Sequence, residues 1–168
     1  MVKPAALFAI GLQPVPIPTG YKYPFGYPKW PEIDFSYLAK NWPRNCGIGL
    51  QCGELLGMDI DVYHREWVAE LWRYIRSNHP YIVGSIGHAP KILIPFTCDE
   101  ITSKIVSNRW KDSYGLINAI EVLAEGQQFV AFGIHPDTKK PYRWTADFLE
   151  HTIPQFTLDE IHALFTLF

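Results

Sequence analysis

The sequence predicts a mixed α+β domain, built on one mainly antiparallel sheet with helices on one face. Three observations lead there. Leu56-Gly57-Met58-Asp59-Ile60-Asp61-Val62 alternates apolar and acidic residues, the period of a half-buried strand. His64 to Asn78 follows with helical spacing: Trp67, Val68, Leu71, Trp72 and Ile75 form one stripe, while Arg65, Glu66, Arg73 and Arg76 face elsewhere. After it come short apolar runs separated by Gly, Pro and polar turns, which read as a hairpin and then further strands.

At 168 residues the chain is sized for one domain, residues 1–168, with a real core. Hydrophobic residues at 48% make it globular rather than disordered. A formal charge of −2 is not the signature of a strongly basic nucleic-acid binder. Two divalent ions held on its carboxylates would reverse that sign, so charge neither supports nor excludes a polyanionic substrate. Cys46, Cys52 and Cys98 are odd in number and lack CxxC spacing. They fit free thiols in a reducing cytoplasm better than a disulfide framework or a zinc site. No segment is apolar for the roughly 18 residues a membrane span needs. Met1 to Gly11 is too short and too weakly basic for a signal peptide.

In chain order, Pro4 to Ile10 is one or two helical turns stopped by Gly11. Pro14-Val15-Pro16-Ile17-Pro18 is extended, because proline fixes φ and biases its predecessor away from the helical region. Thr19 to Pro24 is a turn presenting Lys22, and an aromatic-rich loop runs on to Pro31. Ile33 to Asn41 reads as a short helix, and Asn45 to Leu50 as a glycine-bearing strand. Pro80 ends the long helix. Tyr81 to Gly84 is expected to be a strand, Ser85 to Pro90 a turn, and Lys91 to Phe96 the return strand. Residues 97 to 115 are polar and ambiguous, and Ile101 to Trp110 reads equally as a strand or a short helix. Leu116 to Leu123 and Gln128 to Phe132 are strands around a Glu125-Gly126-Gln127 turn; Tyr142-Arg143-Trp144 is a short strand. Thr157 with Glu160 is a capping box opening a last helix that runs to Phe168.

Asp59 and Asp61, two apart in a strand, project from one face. Paired carboxylates repel unless a cation or a proton relieves them. Ligands that are all oxygen suit Mg²⁺ or Mn²⁺. Glu121 sits among apolar residues, where a carboxylate is costly unless paired or metal-bound. Lys91 opens an apolar strand, so it either reaches solvent or points at an anion. His88, His135 and Lys22 lie in turns and loops that admit either a phosphate contact or a local hydrogen bond. His64, His79, His151 and His162 show no metal-ligand spacing, and Asp137 is assigned to turn geometry.

Three stretches together resemble the bifunctional primase-polymerase domain of the archaeo-eukaryotic primase superfamily, in the branch found in phages and mobile elements. They are the Gly57-Met58-Asp59-Ile60-Asp61 strand, the Ser85-Ile86-Gly87-His88-Ala89-Pro90-Lys91 hairpin, and the acidic strand from Ile120 through Gln127-Gln128 into Gly133-Ile134-His135-Pro136 and Pro141 to Trp144. Pro14 to Pro16, Gly20 to Pro24 and Asn45 to Gly49 also look like the family's opening. One departure is Ser85, where relatives often carry Arg; His88 in the same turn is placed to compensate partly.

The resemblance implies an RRM-like, mainly antiparallel sheet flanked by helices, and template-directed transfer of nucleotides from a (d)NTP to a 3′-hydroxyl. Asp59, Asp61 and Glu121 would hold two divalent ions, Mg²⁺ or Mn²⁺; Lys91 would meet the triphosphate. His88, His135, Ser85 and Lys22 are the further substrate candidates. DNA template and primer are the implied partners, with a replicative helicase in cis or trans. The chain is then either a stand-alone cytoplasmic protein or one part of a longer primase-helicase. Two rival readings are a non-catalytic nucleic-acid-binding module and a metal-dependent phosphodiester or nucleotide hydrolase.

Overall fold

The computed structural model describes residues 2–27, 30–32 and 34–167. Ile33 and Phe168, the expected first and last residues of two helices, lie outside the described residues. The elements in order are α1 (Pro4–Ala9), β1 (Pro14–Pro18), α2 (Phe35–Lys40), β2 (Cys46–Gln51), β3 (Leu56–Asp61), α3 (Arg65–Asn78), β4 (Ser85–Ile86), β5 (Ile92–Phe96), β6 (Ile105–Val106), β7 (Trp110–Lys111), β8 (Ile117–Leu123), β9 (Gln128–Phe132), β10 (Arg143–Trp144) and α4 (Leu158–Phe165). The fold is α+β, and every pairing between named strands is antiparallel. No helix among the described residues is long and apolar enough to cross a membrane.

The single sheet expected from the sequence is two sheets. Seven strands form the larger, in the order β10-β4-β5-β3-β8-β6 with β7 also on β8; three strands form the smaller, β1-β2-β9. The reason lies in β8. Its two edges are taken by β3 and by β6 with β7, so β9, one short turn further on, has no edge of β8 to pair with and joins β2 instead. β1 closes the small sheet as an edge strand. Gln13 and Thr19 carry backbone bonds to Gln51 and Asn45, which puts the odd-numbered residues in the ladder. Pro14, Pro16 and Pro18 therefore have their missing N–H groups on the outer edge, where no further strand can add.

The helices are also divided. α3 and α4 cover one face of the large sheet: Val68, Leu71, Ile75, Ile161 and Leu164 pack with Met58, Ile60, Ile94, Ile120 and Val122. Leu7 of α1 instead joins a second cluster, with Ile48, Leu50, Phe129 and Phe148, around the small sheet. α4 opens with the expected capping box between Thr157 and Glu160, and it ends at Phe165. His79, stacked on Phe156, ties its Nε2 to Glu160 at 3.1 Å and so joins the end of α3 to the start of α4.

Local differences from the sequence reading have simple causes. Tyr81 to Gly84 is not a strand; pairing begins at Ser85, which the sequence reading placed in the turn, and the turn proper is Gly87 to Pro90. Ser85 aligns with Leu93 on one side and Trp144 on the other, so long-range partners rather than local pattern decide where the strand lies. Ile101 to Trp110, open between strand and helix from sequence, takes the strand option, as two short strands, Ile105–Val106 and Trp110–Lys111, held against β8.

Candidate active site

β3 is central in the large sheet, and its two faces differ. Met58, Ile60 and Val62 are buried under α3 and α4, whereas Gly57, Asp59 and Asp61 look the other way. A Cβ on Gly57 would come within 2.9 Å of the Phe129 ring from the small sheet, so glycine lets the two sheets close at that end. Beyond this contact they part. The gap is a cleft of about 490 Å³ lined by Asp59, Asp61, Tyr63, Ser85, Lys91, Leu93, His88, His135, Asp137 and Tyr142, among others, with Lys22 and Gln128 from the small-sheet side.

Strand register sets the acidic candidates on one face of the sheet. Asp59 lies directly opposite Glu121 on β8, and opposite Leu93 on β5, which in turn faces Ser85 on β4. Side chains directly opposite in an antiparallel pair share a face. The row thus reads Ser85, Leu93, Asp59, Glu121. Asp61 stands one step along, where the register places it beside Lys91.

Each carboxylate has a different environment. Lys91 Nζ lies 2.5 Å from Asp61 Oδ1 and 3.7 Å from the centre of the Tyr63 ring. Lys91 was expected to address a triphosphate directly; in this structure its ammonium neutralises Asp61. Glu121 receives Lys104 Nζ at 2.5 Å and Arg109 Nη2 at 3.4 Å, and it stands just past the lining of the cleft. Among the described residues no hydrogen bond or ion pair reaches Asp59. Burial, then the charges of Asp61 and Glu121, push its carboxyl up from 3.8 to about 6, against the pull of Lys91 and Lys104. A desolvated, unpaired carboxylate between two others is the environment that a hard divalent cation relieves. All-oxygen donors suit Mg²⁺ or Mn²⁺, but in this structure the carboxylate oxygens of Asp59, Asp61 and Glu121 do not all lie within 4.8 Å of one another.

The opposite wall is formed by Lys22, His88, His135 and Asp137. His135 is buried, and its Nδ1 accepts the backbone N–H groups of Asp137 at 3.2 Å and Thr138 at 3.3 Å. Burial and the neighbouring Lys22 lower its pKa, with His88 and Lys91 adding to the effect and Asp137 opposing it. The ring is therefore neutral, with its proton on Nε2, and it offers one N–H donor. Lys22 reaches Asp137 at 2.8 Å, and its carbonyl accepts from Gln128 Nε2 at 2.8 Å. That tether ties the turn from Thr19 to Pro24 to the cleft. Asp137 is thus more than a turn residue. Nδ1 or Nε2 of His88 and His135 and a carboxylate oxygen of Asp137 lie within 4.8 Å of one another, a spacing that would admit a metal ion. Here Lys22 already occupies the Asp137 carboxylate, and two N–H groups already occupy His135 Nδ1.

Three features escaped the sequence reading. Tyr142 lines the cleft, and its hydroxyl is pushed up to about 12 by burial and then by the charges of Asp59 and Asp137, so it is a neutral donor. Its only sequence signal was its place after the His-Pro loop. Gly87 leaves no room for a side chain: a Cβ there would meet the Tyr142 ring at 2.4 Å and His135 at 2.6 Å. Lys104 and Arg109 come from the stretch left ambiguous between strand and helix and were not singled out as site candidates. Ser85, the departure from the family's Arg, is 3% exposed, lines the cleft, and has a hydroxyl with no partner among the described residues.

The family model described as bifunctional DNA primase/polymerase, N-terminal, matches residues 5–156, and the chain belongs to that family. No curated protein matches the chain.

Proposed function

We propose that residues 1–168 form one catalytic domain that performs template-directed nucleotidyl transfer, joining a nucleoside triphosphate to a 3′-hydroxyl on a DNA template. The observation that carries this reading is the register of Asp59 with Glu121, with Asp61 one step along, at the edge of a cleft whose far wall is Lys22, His88 and His135. Asp59 and Asp61 would hold two divalent ions, and Glu121 would complete the set. Bound there, such ions ease ionisation of the attacking hydroxyl and take up charge on the departing pyrophosphate.

The chain's own residues do the rest. Lys91 moves its ammonium from Asp61 to the triphosphate and supplies a point charge where negative charge builds. His135 and Tyr142 offer neutral N–H and O–H donors, and Ser85 offers its unpartnered hydroxyl. These groups hold the phosphates and orient them toward the acid row. The Asp137–Lys22 pair closes the cleft rim.

A non-catalytic nucleic-acid module has one observation in its favour: Asp61 and Glu121 already carry protein cations, so two of the three acids are satisfied without metal. Asp59 is the one that is not. Primer extension with Mg²⁺ or Mn²⁺ separates the readings. Asp59→Ala and Glu121→Ala should abolish incorporation while circular dichroism stays unchanged. Undiminished synthesis by either variant would remove the site assignment; lengthening rather than shortening of the DNA separates polymerase from hydrolase.

A further inference from the structure

The row across the large sheet continues past Glu121. Val106 on β6 faces Glu121, so Lys104, two residues earlier, shares that face, while Ile105 packs against the core. On β7, Lys111 faces Ile117, which shares the face of Ala119 and Glu121, and Arg109 lies two residues from Lys111. Lys104, Arg109 and Lys111 are all exposed. Lys104 and Arg109 both bind the one Glu121 carboxylate. The next acid along, Asp112, is turned away: it is buried against His64 and two backbone N–H groups. This flank therefore carries more cation than its own carboxylates neutralise.

Its position gives the excess charge a use. Lys91 and His88 of the cleft stand on the β4–β5 side of Asp59, and Lys104 and Arg109 stand on the β8–β6 side. In phosphoryl transfer the entering and leaving oxygens are roughly in line. With the triphosphate in the cleft, the strand that supplies the hydroxyl approaches over β8 and β6. Resting on the polymerase reading above, we propose that Lys104 and Arg109 bind the phosphates of the chain being extended. Those phosphates are either the 3′-terminal phosphodiesters of a primer or the triphosphate of an initiating nucleotide.

The test has a binding arm and a kinetic arm. Fluorescence anisotropy with a primed template, without nucleotide or divalent ion, reads affinity and its salt dependence. Steady-state extension reads primer KM and nucleotide KM separately. Lys104→Ala and Arg109→Ala are each expected to weaken primed-template binding about tenfold and to reduce the salt slope by about one. Primer KM rises by a similar factor, nucleotide KM is unmoved, and Arg109→Lys retains most of the affinity. If the initiating nucleotide is the ligand, primer KM holds and the KM of the first nucleotide in primer-free synthesis rises about tenfold instead. A fall in kcat alone, with both KM values and the anisotropy unmoved, overturns the proposal, since the two cations would then only position Glu121. Failure of the polymerase reading looks different: the wild-type protein would incorporate no nucleotide, whatever its affinity for DNA.

Discussion

The two faces of β3 carry the same six residues' worth of backbone and opposite physics. One face buries Met58 and Ile60 against α3 and α4, and each atom there gains by leaving water. The other holds Asp59 half-buried at the cleft, without a hydrogen-bond partner among the described residues and beside two like charges. The first face stabilises the fold, and the second costs it. A strand that gives up stability on one side at a cleft edge marks where the chain has been shaped for a ligand.

That contrast can be broken by substitution. The largest effect is expected for Asp59→Asn, which keeps the shape and removes the charge. Nucleotide incorporation should fall by about a thousandfold or more, while the metal-free protein gains on the order of 2 kcal/mol. Chemical denaturation in EDTA, run beside primer extension, would show both. Ile60→Ala, one residue along, should do the reverse: it costs about 2–5 kcal/mol yet leaves the specific activity of folded protein near normal at low temperature. Gly57→Ala sits between the faces in kind and is smaller in size. Its Cβ would press on the Phe129 ring at 2.9 Å, so about 1–3 kcal/mol should be lost, and nucleotide KM should rise as the sheets are pushed apart. Thermal unfolding and a nucleotide titration would check these together.

The smallest effect is in pH. Below the ordinary carboxylate value of 3.8, Asp59 is protonated whether the chain is folded or not. Between there and about 6 the folded protein keeps a proton that the unfolded chain has lost. Metal-free stability should therefore fall as pH rises through that window, by up to about 1 kcal/mol per pH unit from this group, and level off above it. Asp59→Asn should lose this component, and saturating Mn²⁺ should flatten it. Urea titrations from pH 4 to 7 would read the slope.

Local periodicity explains what was legible in the sequence. The alternation around Asp59 and Asp61, the stripe on α3 and the Thr157–Glu160 cap are set by neighbours within a few residues, and the structure has each of them. The α+β class followed from these. The division into two sheets did not, because nothing local in Gln128 to Phe132 says that both edges of β8 are already taken. For the site, the pairing of Asp59 with Glu121 spans some sixty residues of chain, and only the family resemblance brought them into one set. The same holds for Lys22, which reaches the cleft through Gln128 and Asp137. Lys104 and Arg109 were invisible, because two-residue strands have too few positions to show a period. That Lys91 rests on Asp61 rather than standing opposite it is a matter of side-chain packing, with the Tyr63 ring beneath the ammonium.

The most direct test is where a divalent ion goes. Crystals soaked with Mn²⁺ and a deoxynucleoside triphosphate should give anomalous density between Asp59 and Asp61, with Lys91 displaced from Asp61 toward the phosphates. Manganese held instead by His88, His135 and Asp137, with Asp59 left bare, would contradict the assignment of the acid row.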